Sequence, residues 1–338
     1  MKNEKAMKNL WQGDAMRNGM LGLVVGDALG NPVQFLSREE VQRNPITTMT
    51  GGGCFYPDEG TWTDDSSLAL ATLNSLNRKE TADLKDIAEH FCAWLYEGRF
   101  TPFGDAFDIG GTCREAIENY HFSRNVDTCG LQDVYSNGNG SLMRIAPLCI
   151  AAGQWVEQGK ITLEEGVEMV EKGSALTHAH TRARLACGLY FFLVREVMLR
   201  PGEPLRRLLA QGAKEGLDFY RNQGSEAQKS ELEQYYGWLD DLQAFSSLPQ
   251  EDISSSGYVV DTFQAALWSL LRESTLEATL LRAVNLGDDA DSVGAVTGGL
   301  AGLYYGAEAI PASWLEKLQS LEKVEELCAG GTWERVNR

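Results

Sequence analysis

The sequence predicts an all-α protein, a compact irregular bundle of helices with no substantial sheet. Three observations predict it. Apolar residues return every three or four positions in one segment after another. No β-branched run of strand length appears. Glycine, proline and polar clusters fall between the periodic segments. No internal repeat or low-complexity tract is visible. At 338 residues and 43% hydrophobic, the chain can bury a large core, and residues 1–338 read as one domain.

The first helix is expected over 17–29, where Met20, Leu21, Val24, Val25, Ala28 and Leu29 recur at helical spacing and Gly30-Asn31-Pro32 ends the run. Residues 47–60 hold four glycines and a proline without periodicity and read as a long irregular loop, a place where function often sits. Helices follow over 66–77, over 83–97 with Leu84, Ile87, Ala88, Phe91, Trp94 and Leu95 on one face, and over 105–119. The pattern continues over 142–152, 163–176, 181–199 and 203–221. Residues 223–231 form a polar break and a weak candidate boundary. Beyond it, helices are expected over 234–245, 259–271, 275–285, 292–305 and 312–325.

Composition narrows the function. The first residues stay polar and offer no secretory signal. The most apolar window, 293–310, is rich in glycine and follows an acidic cluster, so it reads as a buried helix and not a membrane anchor. Cys54, Cys92, Cys113, Cys129, Cys149, Cys187 and Cys328 form no CxxC pair, and an odd number cannot all pair within one chain, which points to reduced thiols in the cytoplasm. A net charge of -18 repels a nucleic-acid backbone and leaves cations and basic protein targets as partners.

Two acidic segments carry the chemistry: Thr63-Asp64-Asp65-Ser66 and Asp288-Asp289-Ala290-Asp291-Ser292, each after a glycine-containing loop and ahead of an apolar helix. Either could be a helix cap, since hydroxyls and carboxylates satisfy the free amides of a helix start. Paired acids beside a hydroxyl exceed what a cap needs. If the two helix starts meet, Asp64, Asp65, Asp289 and Asp291 share a pocket, and their repulsion raises their pKa values unless cations intervene. Two divalent ions would balance four carboxylates, and oxygen ligands favour magnesium, manganese or calcium over zinc. Such ions orient a sugar diol and activate water. In Ser136–Ser141, Gly138 and Gly140 allow close backbone approach, and the expected helix after them suits phosphate, although an ordinary turn has the same composition. His178 and His180 read as structural, and Asp108 as either an N-cap or a catalytic acid.

The ordered motifs Gly26-Asp27-Ala28-Leu29-Gly30, Trp62-Thr63-Asp64-Asp65-Ser66, Asp108-Ile109-Gly110, Gly138-Asn139-Gly140-Ser141-Leu142-Met143-Arg144, Thr177-His178 and Asn285 through Ser292 resemble the ADP-ribosylglycohydrolase family nearly end to end. The resemblance implies that family's helical fold. It implies two divalent cations, Mg2+ or Mn2+, at Thr63, Asp64, Asp65, Asp289, Asp291 and Ser292, the last standing where threonine is common. It also implies contacts to the ligand from Gly110, Gly138, Asn139, Gly140, Ser141, Met143 and His178. Asp108 matches a water-activating aspartate and, with Asp65 and Asp289, forms the implied catalytic set.

The chain departs from the pattern twice. Gln34 stands where a glutamate is common, so another acid such as Glu39 or Asp108 supplies the base, the cations alone activate water, or turnover is weak while binding persists. Asp288 stands where glycine is common. The expected reaction is hydrolysis of the N-glycosidic bond of ADP-ribosylarginine on a protein. Serine, acyl-ester and nucleic-acid-base linkages are alternatives, the last disfavoured by the acidity of the chain. A noncatalytic ADP-ribose-binding protein is the rival from another class, supported by Gln34.

Overall fold

Glycines at every fourth position organise the molecule. In a computed structural model that describes residues 13–333, helix α1 (Ala15–Gly30) packs along most of its length on helix α14 (Ala290–Tyr305). Gly22, Gly26 and Gly30 form one ridge, facing Gly294, Gly298 and Gly302. A Cβ on Gly22 would stand 2.1 Å from the Gly298 carbonyl oxygen, and one on Gly26 2.0 Å from that of Gly294. Only hydrogen fits, so the two backbones touch over three turns. The segment 293–310, expected as a buried helix, is thereby the partner of α1. Among the described residues no helix is long and apolar enough to cross a membrane.

Between these two helices the chain runs through α2 (Arg38–Arg43), α3 (Asp64–Lys79), α4 (Leu84–Glu97), α5 (Gly111–Ser123), α6 (Ala146–Glu157), α7 (Leu163–Ala175) and α8 (Thr181–Leu199). It continues through α9 (Leu205–Gln223), α10 (Glu226–Tyr235), α11 (Leu242–Ser246), α12 (Val259–Arg272) and α13 (Leu276–Val284). After α14 come the short α15 (Ala312–Leu315) and α16 (Leu321–Cys328). Caps set many of the starts: Thr63 accepts from the Asp65 amide, Asp83 from that of Asp86, and Thr162 with Glu165 forms a capping box. Helix α8, apolar from Leu185 to Val194, is buried by α6, α7, α9, α12 and α14.

The all-helical expectation is borne out, with no strand among the described residues and only two isolated bridges, Leu131 to His178 and Gly138 to Tyr258. The loop over 47–60 is irregular, as expected. Several boundaries differ. The polar break at 223–231 is mostly helix, because Ser225 and Gln228 close a capping box that starts α10. The helix expected over 234–245 ends at Tyr235 and gives way to a 3-10 turn at Gly237–Asp241. The helix expected over 312–325 is interrupted where Ser320 takes a φ of 50° and the Gln319 amide bonds the Gly60 carbonyl at 3.0 Å. The polar start at 1–12 and the end at 334–338 lie outside the described residues.

Candidate active site

The two acidic segments meet because α1 holds both. On one side, the glycine ridge draws the first turn of α14, with Asp291, against Gly30. On the other, Asp27 is fully buried and accepts from α3: the Thr63 amide at 3.0 Å, the Ser66 amide at 3.0 Å and the Ser66 hydroxyl at 2.5 Å. The Thr63 hydroxyl lies 3.0 Å from Asp27 Oδ1 and 3.1 Å from Asp65 Oδ2. One carboxylate thus satisfies the free amides of a helix start and orients the Thr63-Asp64-Asp65 turn. Burial pushes the Asp27 carboxyl up to about 7 against these bonds, which pull it down. Asp27→Ala leaves the amides of Thr63 and Ser66 buried without an acceptor. We expect kcat/KM for ADP-ribose release to fall roughly tenfold to a hundredfold, the usual consequence of losing a residue that orients a ligand set; an unchanged value would show that the α3 turn holds its own shape.

Above this junction opens a cleft lined by Gln34, Phe35, Asp64, Asp65, Asp108, Asp289 and Ser292 on the acidic side, and by Gly138, Asn139, Gly140, Met143, His178 and Gly257 opposite. Gly110, Gly111, Thr112 and Cys113 complete its rim at the start of α5. Asp108 is not the N-cap of that helix. Gly110 is, and Asp108 takes a φ of 56° that turns its carboxylate to Gln34, whose Nε2 donates to Oδ2 at 2.8 Å. Asn139 donates through Nδ2 to Asp289 Oδ2 and to the Thr262 hydroxyl.

The carboxyls of this floor are held well above their usual range. Burial is the main cause for Asp64, Asp65 and Asp291, followed by neighbouring carboxylates: Asp108 for Asp64, Asp27 for Asp65, Asp289 for Asp291. Asp289 is raised by burial against the pull of Asn139, and Asp108 is raised by burial to about 6. Asp65 Oδ1 and both oxygens of Asp291 are buried with no hydrogen-bond partner. A buried carboxylate without a donor is costly unless protonated or met by a cation. Among the described residues no three acid, thiol or imidazole groups already close on one point. The oxygens able to receive a hard divalent cation are those of Thr63, Asp64, Asp65, Asp289, Asp291 and Ser292, and the orphaned ones fit that use.

The expected ligand residues do not all face the cleft. Gly110, Gly138, Asn139, Gly140, Met143 and His178 line it, whereas the Ser141 hydroxyl is buried and accepts from Ser174 at 2.9 Å. The helix expected at 142 begins at Ala146, so residues 140–144 are turns and no helix start follows the glycines directly. The Asn139 amide is already spent on the Gly257 carbonyl at 2.9 Å. Gly140 is needed where it is: a Cβ there would meet Cys113 Sγ at 2.7 Å and His178 Cε1 at 2.8 Å. His178 is held neutral, its pKa pressed down to about 3 by burial and by Arg144. The Thr177 hydroxyl accepts from Arg144 at 2.8 Å and lies 3.0 Å from His178 Nδ1. With its proton given to Nδ1, that hydroxyl leaves Nε2–H for the cleft.

Asp288 also finds its place. Its φ of 53° is one that glycine adopts freely, and its carboxylate takes the Ser255 hydroxyl at 3.3 Å, in a neighbouring hollow. Sequence reasoning missed the clamp at Asp27, Phe35 at the rim, and Cys113 and Gly257 in the lining. Asp27 had a signal, as the only charged residue in the otherwise apolar second half of α1.

A sequence model of the family described as ADP-ribosylglycohydrolase matches residues 8–337. The chain is 32% identical over 310 residues to the ADP-ribosyl-[dinitrogen reductase] glycohydrolase of Rhodospirillum rubrum, covering 90% of each. It is 30% identical over 325 residues to the ADP-ribosylarginine hydrolase Tri1 of Serratia proteamaculans (strain 568), covering 93% of this chain and 78% of that one. A solved structure described as an ADP-ribosylglycohydrolase-related protein complex superposes with a TM-score of 0.73 at 32% identity, covering 94% of this chain and 96% of that one. The chain belongs to the ADP-ribosylglycohydrolase family. It is a hydrolase that removes ADP-ribose.

Proposed function

We propose that this enzyme hydrolyses the N-glycosidic bond between ADP-ribose and the guanidinium of a modified arginine on a protein. It does so with two divalent cations, Mg2+ or Mn2+, held by Thr63, Asp64, Asp65, Asp289, Asp291 and Ser292. The observation that carries the metal requirement is the set of buried carboxylate oxygens on Asp65 and Asp291 that no protein donor meets. The arginine acceptor draws support from the relatives named for that substrate. Seven thiols free of disulfides agree with a reducing, cytoplasmic setting, and the charge of -18 favours a protein acceptor over a nucleic acid. One domain over 1–338 carries the activity, supported by the packing of α1 on α14 from opposite ends of the chain.

Bound cations supply Lewis-acid polarisation of the attacking water and of the ribose hydroxyls. Asp108 takes a proton from that water, on the oxygen that Gln34 does not hold. The C1–N bond breaks, a C1–O bond forms, and the proton passes to the departing guanidine nitrogen. Asn139 fixes Asp289, and His178 presents Nε2–H to the ligand. Gly138, Gly140 and Gly110 let it approach the backbone, Met143 packs beside them, and Ser141 supports the turn from behind. Asp65 and Asp289 complete the catalytic set.

The test is release of ADP-ribose from an arginine-ADP-ribosylated protein. Release with magnesium or manganese that stops on adding chelator is the expected result. Release confined to serine, acyl-ester or base linkages would move the acceptor, and release that survives chelator would remove the cations.

A further inference from the structure

Gln34 is a neutral amide set among the acids of the cleft, and it is held by one end only. The residue is 4% exposed. Its Nε2 donates to Asp108 Oδ2 at 2.8 Å, and the same side chain pulls the Asp289 carboxyl down. Its Oε1 is buried and has no partner. The two ends of an amide are not interchangeable beside a carboxylate, which only accepts, so the NH2 faces Asp108 and the carbonyl faces away from it. The backbone holds the residue in place: the Phe35 amide bonds the Asp288 carbonyl at 2.6 Å and the Asp288 amide bonds the Leu36 carbonyl at 2.8 Å. Phe35, at φ 64°, stands beside it at the rim of the cleft and is 62% exposed. Gln34 lines the same cleft as Asp65, and its Oε1, like Asp65 Oδ1, is a buried acceptor that no protein donor meets.

We propose that Gln34 selects the linkage: its Nε2 holds Asp108, and its Oε1 accepts an N–H from the guanidinium of the acceptor. The inference rests on the arginine-linked reading above and specifies how that linkage is recognised. A buried carbonyl oxygen needs a donor. A substituted guanidinium brings N–H groups on the linkage nitrogen and its neighbours, whereas a serine O-glycoside or an acyl ester offers an oxygen with no hydrogen at the same place. An oxygen there leaves Oε1 unpaired, and a site built around a hydrogen bond rejects a ligand that lacks it. Glutamate at this position would keep an acceptor but set a third carboxylate against Asp108 and Asp289. The amide avoids that repulsion and keeps Asp108 in place.

Gln34→Met removes both ends of the amide at similar volume, and Gln34→Glu removes only the donor. With magnesium present, KM and kcat are measured on an arginine-ADP-ribosylated peptide. A serine-ADP-ribosylated peptide and free ADP-ribose are scored as competitors, and Mn2+ affinity is measured separately. In Gln34→Met, KM for the arginine-linked peptide rises roughly tenfold to a hundredfold, as expected for a lost bond to a charged donor. The inhibition constants of the serine-linked peptide and of ADP-ribose, and the Mn2+ affinity, stay within about threefold, since none uses Oε1. In Gln34→Glu, KM stays near the parent value and kcat falls.

ADP-ribose affinity falling in step with KM would place Oε1 on the ribose and overturn the inference. A loss of Mn2+ affinity would place it on a cation, with the same result. An unchanged KM in Gln34→Met, or equal affinity of the parent for both linkages, also overturns it. Absence of arginine-linked release by the parent is a different failure, that of the reading on which the inference rests.

Discussion

Asp291→Asn abolishes magnesium-dependent release of ADP-ribose and, in the same protein, raises the thermal midpoint in chelator. Asp291 is fully buried in the first turn of α14, and neither oxygen has a partner. Burial, Asp289, Asp65 and Asp108 all work against its charge. With cations bound, that charge is a ligand, and its loss is expected to lower kcat/KM by at least about a thousandfold, on the scale of removing a principal electrostatic group from an active site. Without cations the charge is only a burden, and asparagine removes it. The sign of the pH dependence agrees. Asp27 and Asp108 titrate near 7 and 6 when folded, against an ordinary 3.8, so between these values the native state holds more protons than the unfolded one. In the metal-free parent the contribution of these two groups to stability is therefore fully present toward pH 4 and is lost as pH rises toward about 7, where burial places Asp27. Thermal scans of parent and variant, in chelator and in magnesium, test both halves. A variant that keeps its activity, or melts below the parent in chelator, would sink the assignment of Asp291 to a cation.

Gly26→Ala is expected to cost more than about 4 kcal/mol of stability, the range reached only when a substitution has a definite structural cause. Its Cβ would lie 2.0 Å from the Gly294 carbonyl oxygen and 2.5 Å from its carbon. Both are backbone, so no rotamer change relieves the clash, and the helices must separate. Separation also withdraws Asp291 on α14 from Asp27 and Asp65, which couples the stability loss to a loss of activity. Urea unfolding measures the first effect and ADP-ribose release the second. Gly237→Ala, where a Cβ meets nothing within 4 Å, is the control and should stay within about 0.5 kcal/mol. If the two variants unfold alike, the glycine ridge is not what joins α1 to α14.

Much of this could be read from the residues in order. The amphipathic face of α4, with Ile87, Phe91 and Trp94, and the stop at Gly30-Asn31-Pro32 are local patterns, and so is the capping of α3 by Thr63. The two acid-hydroxyl segments announced themselves by carrying more charge than a cap requires. Where local reading went astray, the deciding partner was also a local signal taken in the wrong sense: Ser225 and Gln228 looked like a polar gap and form a capping box. Pro147, in the first turn of α6, marks a helix that begins later than the apolar run at 142 suggested.

By itself the sequence determined the helices, the family resemblance, and which residue types could supply hard oxygens, because periodicity, caps and motifs depend on neighbours along the chain. Tertiary structure alone decided that the segments at 63–66 and 288–292 share one cleft, since that depends on two glycine ridges some 270 residues apart touching backbone to backbone. It alone turned Ser141 into the core, settled that Asp108 faces Gln34 and caps no helix, and buried Asp27 as the clamp between α1 and α3. It also gave the Gln34 amide a direction. The physical reason is common to all four: a side chain's partner, burial and charge environment belong to the packed state, where desolvation makes each unsatisfied polar atom count, and no pattern of nearest neighbours encodes which distant group will meet it.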